Sequence, residues 1–205
     1  VDSRSLLLPP ARLERWVENF GAGHGGCEIA VAQGALTGTG GDGSTFTAHL
    51  PFGRSYGNSA DVDGFVAACA PPSPWGILLV RKGGFAVARL EADRIAESKV
   101  GQRHVQGRTK AGGQSQQRFA RRRDNQAREA YAAAAGHAAR ILDAEMVLVT
   151  GGDRDAIGVV LEDPRLRSLA EWVVEPFLAV PDPRRSVLES AIADAMSVRM
   201  SVTNT

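Results

Sequence analysis

The sequence predicts an α/β fold, a mixed sheet flanked by helices, on three observations. Apolar runs of strand length alternate with amphipathic stretches of helix length through the second half of the chain, the order that builds layered α/β domains. One stretch, opening at Ser115 or a neighbour and running to about Leu142, is much the longest helix. A chain of 205 residues with 43% apolar content can also bury one substantial core. The expectation is a single domain over residues 1–205, in which residues 1–70 form an N-terminal helix and hairpin elaboration.

Element by element, Pro9 and Pro10 lead into Leu13, Trp16, Val17 and Phe20, spaced as one face of a short helix that ends at Gly21. Cys27 to Gln33 and Ser44 to Leu50 read as a hairpin whose loose turn is the glycine-rich stretch from Gly38 to Gly43. Asp61 to Ala70 reads as a helix stopped by Pro71 and Pro72, and Trp75 to Val80 pairs with Phe85 to Glu91 around Lys82, Gly83 and Gly84. Val100 to Gln106 is a further strand candidate. In the long helix, Phe119, Ala127, Ala130, Ala134, Ala138 and Ile141 fall near one face. Met146 to Thr150 is a buried strand, Asp155 to Leu161 a helix, Trp172 to Val174 a short strand, Pro183 to Met196 a helix and Ser197 to Val202 a closing strand.

Composition narrows the function. No stretch has the apolar length needed to cross a bilayer and the first residues carry no basic-then-apolar leader pattern, so a cytoplasmic protein without membrane contact is expected. Cys27 and Cys69 lack metal-motif spacing, and His24, His49, His104 and His137 are dispersed, so no metal and no organic cofactor is implied. Gly21 to Gly26 imitates a nucleotide loop but follows a helix and precedes a strand, the reverse of a dinucleotide fingerprint, and reads as a connector. Thr150 to Asp153 reads as a strand-to-helix turn with Asp153 or Asp155 as cap. Arg54 to Gly57 is either an exposed aromatic and basic loop able to touch RNA or a plain turn.

Charge is distributed unevenly. The net charge is +1, yet Lys99, Arg103, Arg108, Lys110, Arg118, Arg121, Arg122 and Arg123 occur without an acidic residue among them, and removing those eight leaves the remainder at −7. A concentrated basic segment on an otherwise acidic chain is suited to a phosphate-rich partner. Inside that segment stands Gly112, Gly113 and Gln114, at a strand-to-helix junction, preceded by Arg108 and Lys110 and followed by Arg118 one helical turn before Arg121 and Arg122. The tripeptide alone is a weak signal; its setting strengthens it.

From Gly112 to Arg123 the residues resemble the middle domain of eukaryotic and archaeal class I peptide-chain release factors, where Gly-Gly-Gln precedes a Ser-x-x-Arg-Phe-Ala-Arg-x-Arg run; Ser115, Arg118, Phe119, Ala120, Arg121 and Arg123 match it. The close match covers Gly107 to about Ala130, and the element order after it is compatible with that middle domain. The chain has no room for the codon-reading and GTPase-recruiting domains of those factors, so it is more similar to the Vms-like release factors (VLRF), which free nascent chains from tRNA on stalled large subunits. Eukaryotic members carry Gly-Gly-Ser-Gln; aligning Ser115 and the helix places the functional glutamine at Gln114, with Gln116 as the alternative.

The resemblance implies a stop-codon-independent peptidyl-tRNA hydrolase, acting as a monomer on the large ribosomal subunit, with peptidyl-tRNA and ribosomal RNA as partners. Gly112, Gly113 and Gln114 would form the catalytic loop, and Lys99, Arg103, Arg108, Lys110, Arg118, Arg121, Arg122 and Arg123 would hold RNA phosphates. Two glycines suit a loop that must approach RNA closely, because a Cβ would block it. Glutamine has no useful pKa, so its roles are to orient water and to offer a backbone N–H to an oxyanion. Two other functions remain open on the residues alone: an endonuclease cutting tRNA near its 3′ end, and a non-catalytic ribosome- or tRNA-binding module.

Overall fold

The computed structural model describes the backbone of residues 2–102 and 113–205 and the side chains of residues 3–102 and 127–205. The chain is α/β, with two five-stranded sheets flanked by helices. It divides into two compact units, Val1–Pro71 with Ala193–Thr205, and Pro72–Ile192. The first unit therefore combines residues from both ends of the chain.

In the first unit β1 (Asp2–Leu8), β2 (Cys27–Ala32), β3 (Ala35–Gly40), β4 (Thr45–His49) and the last strand β10 (Val198–Asn204) form an antiparallel sheet in the order β1-β10-β4-β3-β2. The expected hairpin between Cys27 and Leu50 is instead three strands, because Ala35–Gly40 pairs with both of its neighbours. Two of the glycines that read as a turn, Gly38 and Gly40, are strand residues. A Cβ on Gly38 would lie 2.1 Å from the Phe46 ring, so only glycine lets that ring cover the strand. The expected turn is confined to Gly41, Asp42 and Gly43, where the Gly43 N–H donates to the Gly40 carbonyl, and a further turn at Gln33 and Gly34, both with positive φ, makes a tight two-residue reversal between paired Ala32 and Ala35.

Helix α1 (Leu13–Gly23) buries Leu13, Val17 and Phe20, and Trp16 and Phe20 both meet the Phe46 ring edge-on at 5.2 Å. Burial of a side chain such as Phe46 contributes about 1.5–3 kcal/mol. Helix α2 (Val62–Ala68) starts at Asp61, whose carboxylate accepts from the Gly64 N–H at 2.6 Å. The Arg54 to Gly57 segment is no exposed aromatic loop: Tyr56 is 2% exposed, its ring lies 4.9 Å from that of Phe65, and its hydroxyl donates to the Ser59 carbonyl. An apolar ring with one satisfied hydroxyl is cheaper to bury here than to leave in water.

In the second unit β5 (Trp75–Arg81), β6 (Gly84–Glu91), β7 (Arg94–Gln102), β8 (Val147–Gly152) and β9 (Val173–Leu178) form a mixed sheet in the order β7-β6-β5-β8-β9. β5, β8 and β9 run parallel, and β6 pairs antiparallel with β5 and β7. The strand expected to begin at Val100 begins at Arg94, because a second tight turn, with Ala92 at φ 54°, returns the chain from Glu91 to Arg94. Residues 103–106 of that expected strand lie outside the described residues. β9 likewise extends past Val174 to Leu178.

Helices α3 (Gly113–Ile141) and α4 (Arg154–Leu161) cover one face of this sheet. Ala134, Ala138, Ile141, Ile157 and Val160 share a core with Leu78, Val80, Phe85, Val87 and Leu148. Asp153 caps α4, accepting from the N–H groups of Asp155 and Ala156, as its position after β8 led one to expect. The boundary between the units falls within α5 (Arg185–Ala195).

Candidate functional site

The site implied by the sequence lies between β7 and α3, and the fold shows how those two elements are held. β7 is an edge strand whose last residues pair with the start of β6, Gly84 opposite Gln102 and Phe85 opposite Gly101. α3 runs back along the same face: Leu142 approaches Gly76 at the start of β5, Arg140 pairs with Glu97 of β7, and the His137 ring stacks on Phe85 at 5.5 Å. Following the helix towards its N-terminus therefore leads to the carboxyl ends of the parallel strands.

There the helix outruns the sheet. Its 29 residues span about 43 Å, whereas the eight-residue β6 spans about 27 Å. His137 already stands over Phe85, near the end of the sheet, and about 36 Å of helix axis separates it from Gly113. Tyr131, one to two turns before His137, still packs against the core; burial, and then the charges of Asp153 and Asp155, push its hydroxyl pKa up. Beyond it the composition turns basic, with Arg118, Arg121, Arg122 and Arg123 on α3.

The sequence-predicted site residues fall into four groups. Gly113 and Gln114 stand in the first turn of α3, which begins two residues before the expected Ser115. Backbone N–H groups in a first turn have no intrahelical acceptor and lie at the positive end of the helix dipole. Arg118, Arg121, Arg122 and Arg123 follow on the same helix, within three turns of Gln114. Lys99 is exposed on β7 opposite Val87, which places it on the face of the sheet that α3 covers. Gly112, Arg103, Arg108 and Lys110 lie outside the described residues.

Gln114 and Gln116, the alternative glutamine, stand about 200° apart around the helix by register, so they are not interchangeable positions. Sequence reasoning missed the anchorage at the base of the site, formed by Phe85, Gly101, His137 and the Glu97–Arg140 pair. The one signal for it was a glycine near the end of a strand. Among the described residues no group of His, Cys, Asp or Glu is arranged to hold a metal ion, and no helix is long and apolar enough to cross a membrane. Cys27 and Cys69 are free thiols, and burial pushes the Cys69 thiol up to about 11.

The mixed sheet and the long helix that opens at Gly113 occur in a chain whose family match makes it a release-factor-like protein of translation. The particular family follows from a family model described as "Actinobacteria/chloroflexi VLRF1 release factor", which matches residues 73–201, more than half of the chain. The chain belongs to that family. Among curated proteins none matches it. The match begins at the second unit and includes its whole sheet, α3, and most of β10.

Proposed function

We propose that the protein hydrolyses the ester between a nascent peptide and its tRNA on stalled large ribosomal subunits, without reading a stop codon. The observation that carries this reading is Gly113 and Gln114 in the first turn of the overhanging, arginine-rich end of α3, in a chain of the release-factor family. Water attacks the ester carbonyl, negative charge develops on its oxygen, and collapse expels the 3′ hydroxyl of the tRNA. Gln114 orients the water through its amide and offers its first-turn N–H to the oxyanion; a donor of this kind is worth about 10²–10³ in rate. Gly112 and Gly113 keep the loop thin enough to enter the peptidyl-transferase centre.

Arg118, Arg121, Arg122 and Arg123, with Lys99, Arg103, Arg108 and Lys110, hold phosphates of tRNA and ribosomal RNA and so fix the loop's position. The protein acts as a cytoplasmic monomer. No residue in the loop serves as a general base, so much of the rate enhancement comes from the ribosome's own positioning of the ester, and hydrolysis of free peptidyl-tRNA is slow.

The test is peptide release from large subunits carrying stalled peptidyl-tRNA, comparing the unmodified protein with Gln114→Ala, Gly113→Ala and Gln116→Ala. Release falls at least about 100-fold in the first two variants while subunit binding persists, and Gln116→Ala retains release. A shortened tRNA among the products would establish a nuclease instead, and binding without release by the unmodified protein would leave a binding module.

A further inference from the structure

The base of the proposed catalytic loop is closed by one aromatic ring. Phe85, near the start of β6, is 5% exposed. On one side its ring leans over β7 at Gly101: a Cβ built on Gly101 would lie 2.3 Å from Cε1 and 2.6 Å from Cζ of that ring. On the other side it stacks on the His137 imidazole of α3, with centroids 5.5 Å apart and planes inclined at 26°. Gly101 is the second-last residue of β7, and His137 is the point at which α3 reaches the end of the sheet. The ring thus lies between the two elements that lead into and out of the Gly-Gly-Gln segment.

Other contacts hold the same strand end from the opposite face. The side-chain amide of Gln102, the last residue of β7, donates to the Pro183 carbonyl at 3.5 Å, and Arg185 of α5 donates to the Ser98 hydroxyl of β7 at 3.1 Å. With β7 fixed in this way, the side chain that separates it from α3 at this end of the sheet is Phe85. α3 stays on the core as far as Ala130, and the axis from there to Gln114, about 24 Å, converts a tilt of 10° into a displacement of about 4 Å. Misplacement of a catalytic group by about 1 Å costs on the order of 100-fold in rate.

We infer that Phe85 is a positioning residue for peptide release: clamped between Gly101 and His137, its ring sets the direction of α3 and hence the location of Gln114. The inference rests on the release activity proposed above, and its test carries a readout independent of that activity. Phe85→Leu keeps an apolar side chain and removes the flat spacer; His137→Ala removes the stacked partner from a half-buried position. In a Cys27→Ser, Cys69→Ala background, spin labels at Ala96→Cys on β7 and Arg128→Cys on α3 report the distance distribution between the two elements.

The unmodified clamp should give a single narrow distribution, and either clamp variant a broader or shifted one. In single-turnover release at saturating subunits, both variants should lose at least tenfold in rate while subunit affinity changes by less than threefold. A distribution unchanged in both folded variants overturns the clamp whatever the release assay gives. An unchanged saturating rate alongside a shifted distribution overturns its role in positioning Gln114. If the unmodified protein releases no peptide, the function proposed above fails, and the distance measurement still decides whether the ring orients the helix.

Discussion

The C-terminal half of α3, Ala127 to Ile141, and its N-terminal half, Gly113 to Gln126, are one helix with two compositions. In the first, alanines at 130, 134, 135 and 138 are all buried, and small side chains let the helix lie close against β6. In the second, Phe119 is the one large apolar residue, and four arginines fall within six positions. A helix that used its whole length for packing would repeat the apolar stripe throughout. The composition of one half suits packing and that of the other a charged partner, so each half should tolerate a kind of change that the other does not.

The largest effect expected from that division is on stability. Ala138→Asp places a carboxylate where no solvent reaches and no partner waits, at a cost of at least about 3 kcal/mol. Its thermal midpoint should fall by on the order of 10 °C, and binding and release should be lost together. The matched change in the other half, Ala120→Asp, should alter stability by about 0.5 kcal/mol or less. Equal destabilisation by both, measured by thermal or urea unfolding, would break the comparison and extend the packed half to the helix start.

A smaller and opposite pattern is expected for Arg121→Ala combined with Arg122→Ala. Thermal stability should stay within about 1 °C of the unmodified protein if the basic half of α3 takes no part in packing. Subunit affinity should fall, and the slope of log affinity against log salt should become shallower by between about 1 and 2, since two phosphate contacts no longer release counterions. An unchanged salt slope would mean that these arginines do not meet phosphates.

The same division explains what the sequence made legible. The long helix was readable because its alanine face repeats at helical spacing, and the basic run because charge needs no fold to be counted. Trp75 to Glu91 was readable because two apolar strands flank a two-residue turn at Lys82 and Gly83. The glycine-rich turn was legible only in its second half, Gly41 to Gly43. Gly38 and Gly40 looked like a turn, but they are strand residues stripped of Cβ to admit the Phe46 ring and His24, and this depends on partners distant in sequence. Conversely, Gln33 adopts positive φ in a true turn although glutamine carries no turn signal. β1 was missed because its partner, β10, is at the other end of the chain. At the candidate site the residues proposed to carry the chemistry stand out as a motif, whereas Phe85 does not: a phenylalanine in a strand is ordinary until Gly101 and His137 are seen on either side of it.

The smallest expected effect sharpens the comparison most. Arg140 in the anchored half pairs with Glu97 of β7, and both side chains are about half exposed, 57% and 46%. Water and salt screen a pair at that exposure, so a double-mutant cycle with Arg140→Ala and Glu97→Ala should give a coupling of about 0.2–1 kcal/mol, shrinking as salt is raised. Peptide release by either single variant should stay within about twofold, because a pair this weak adds little to the buried face beneath it. A coupling above about 2 kcal/mol would reverse the order of causes. The helix would then be held to the strand chiefly by one charged contact at its surface, and salt alone would loosen the base from which the Gly-Gly-Gln end is aimed.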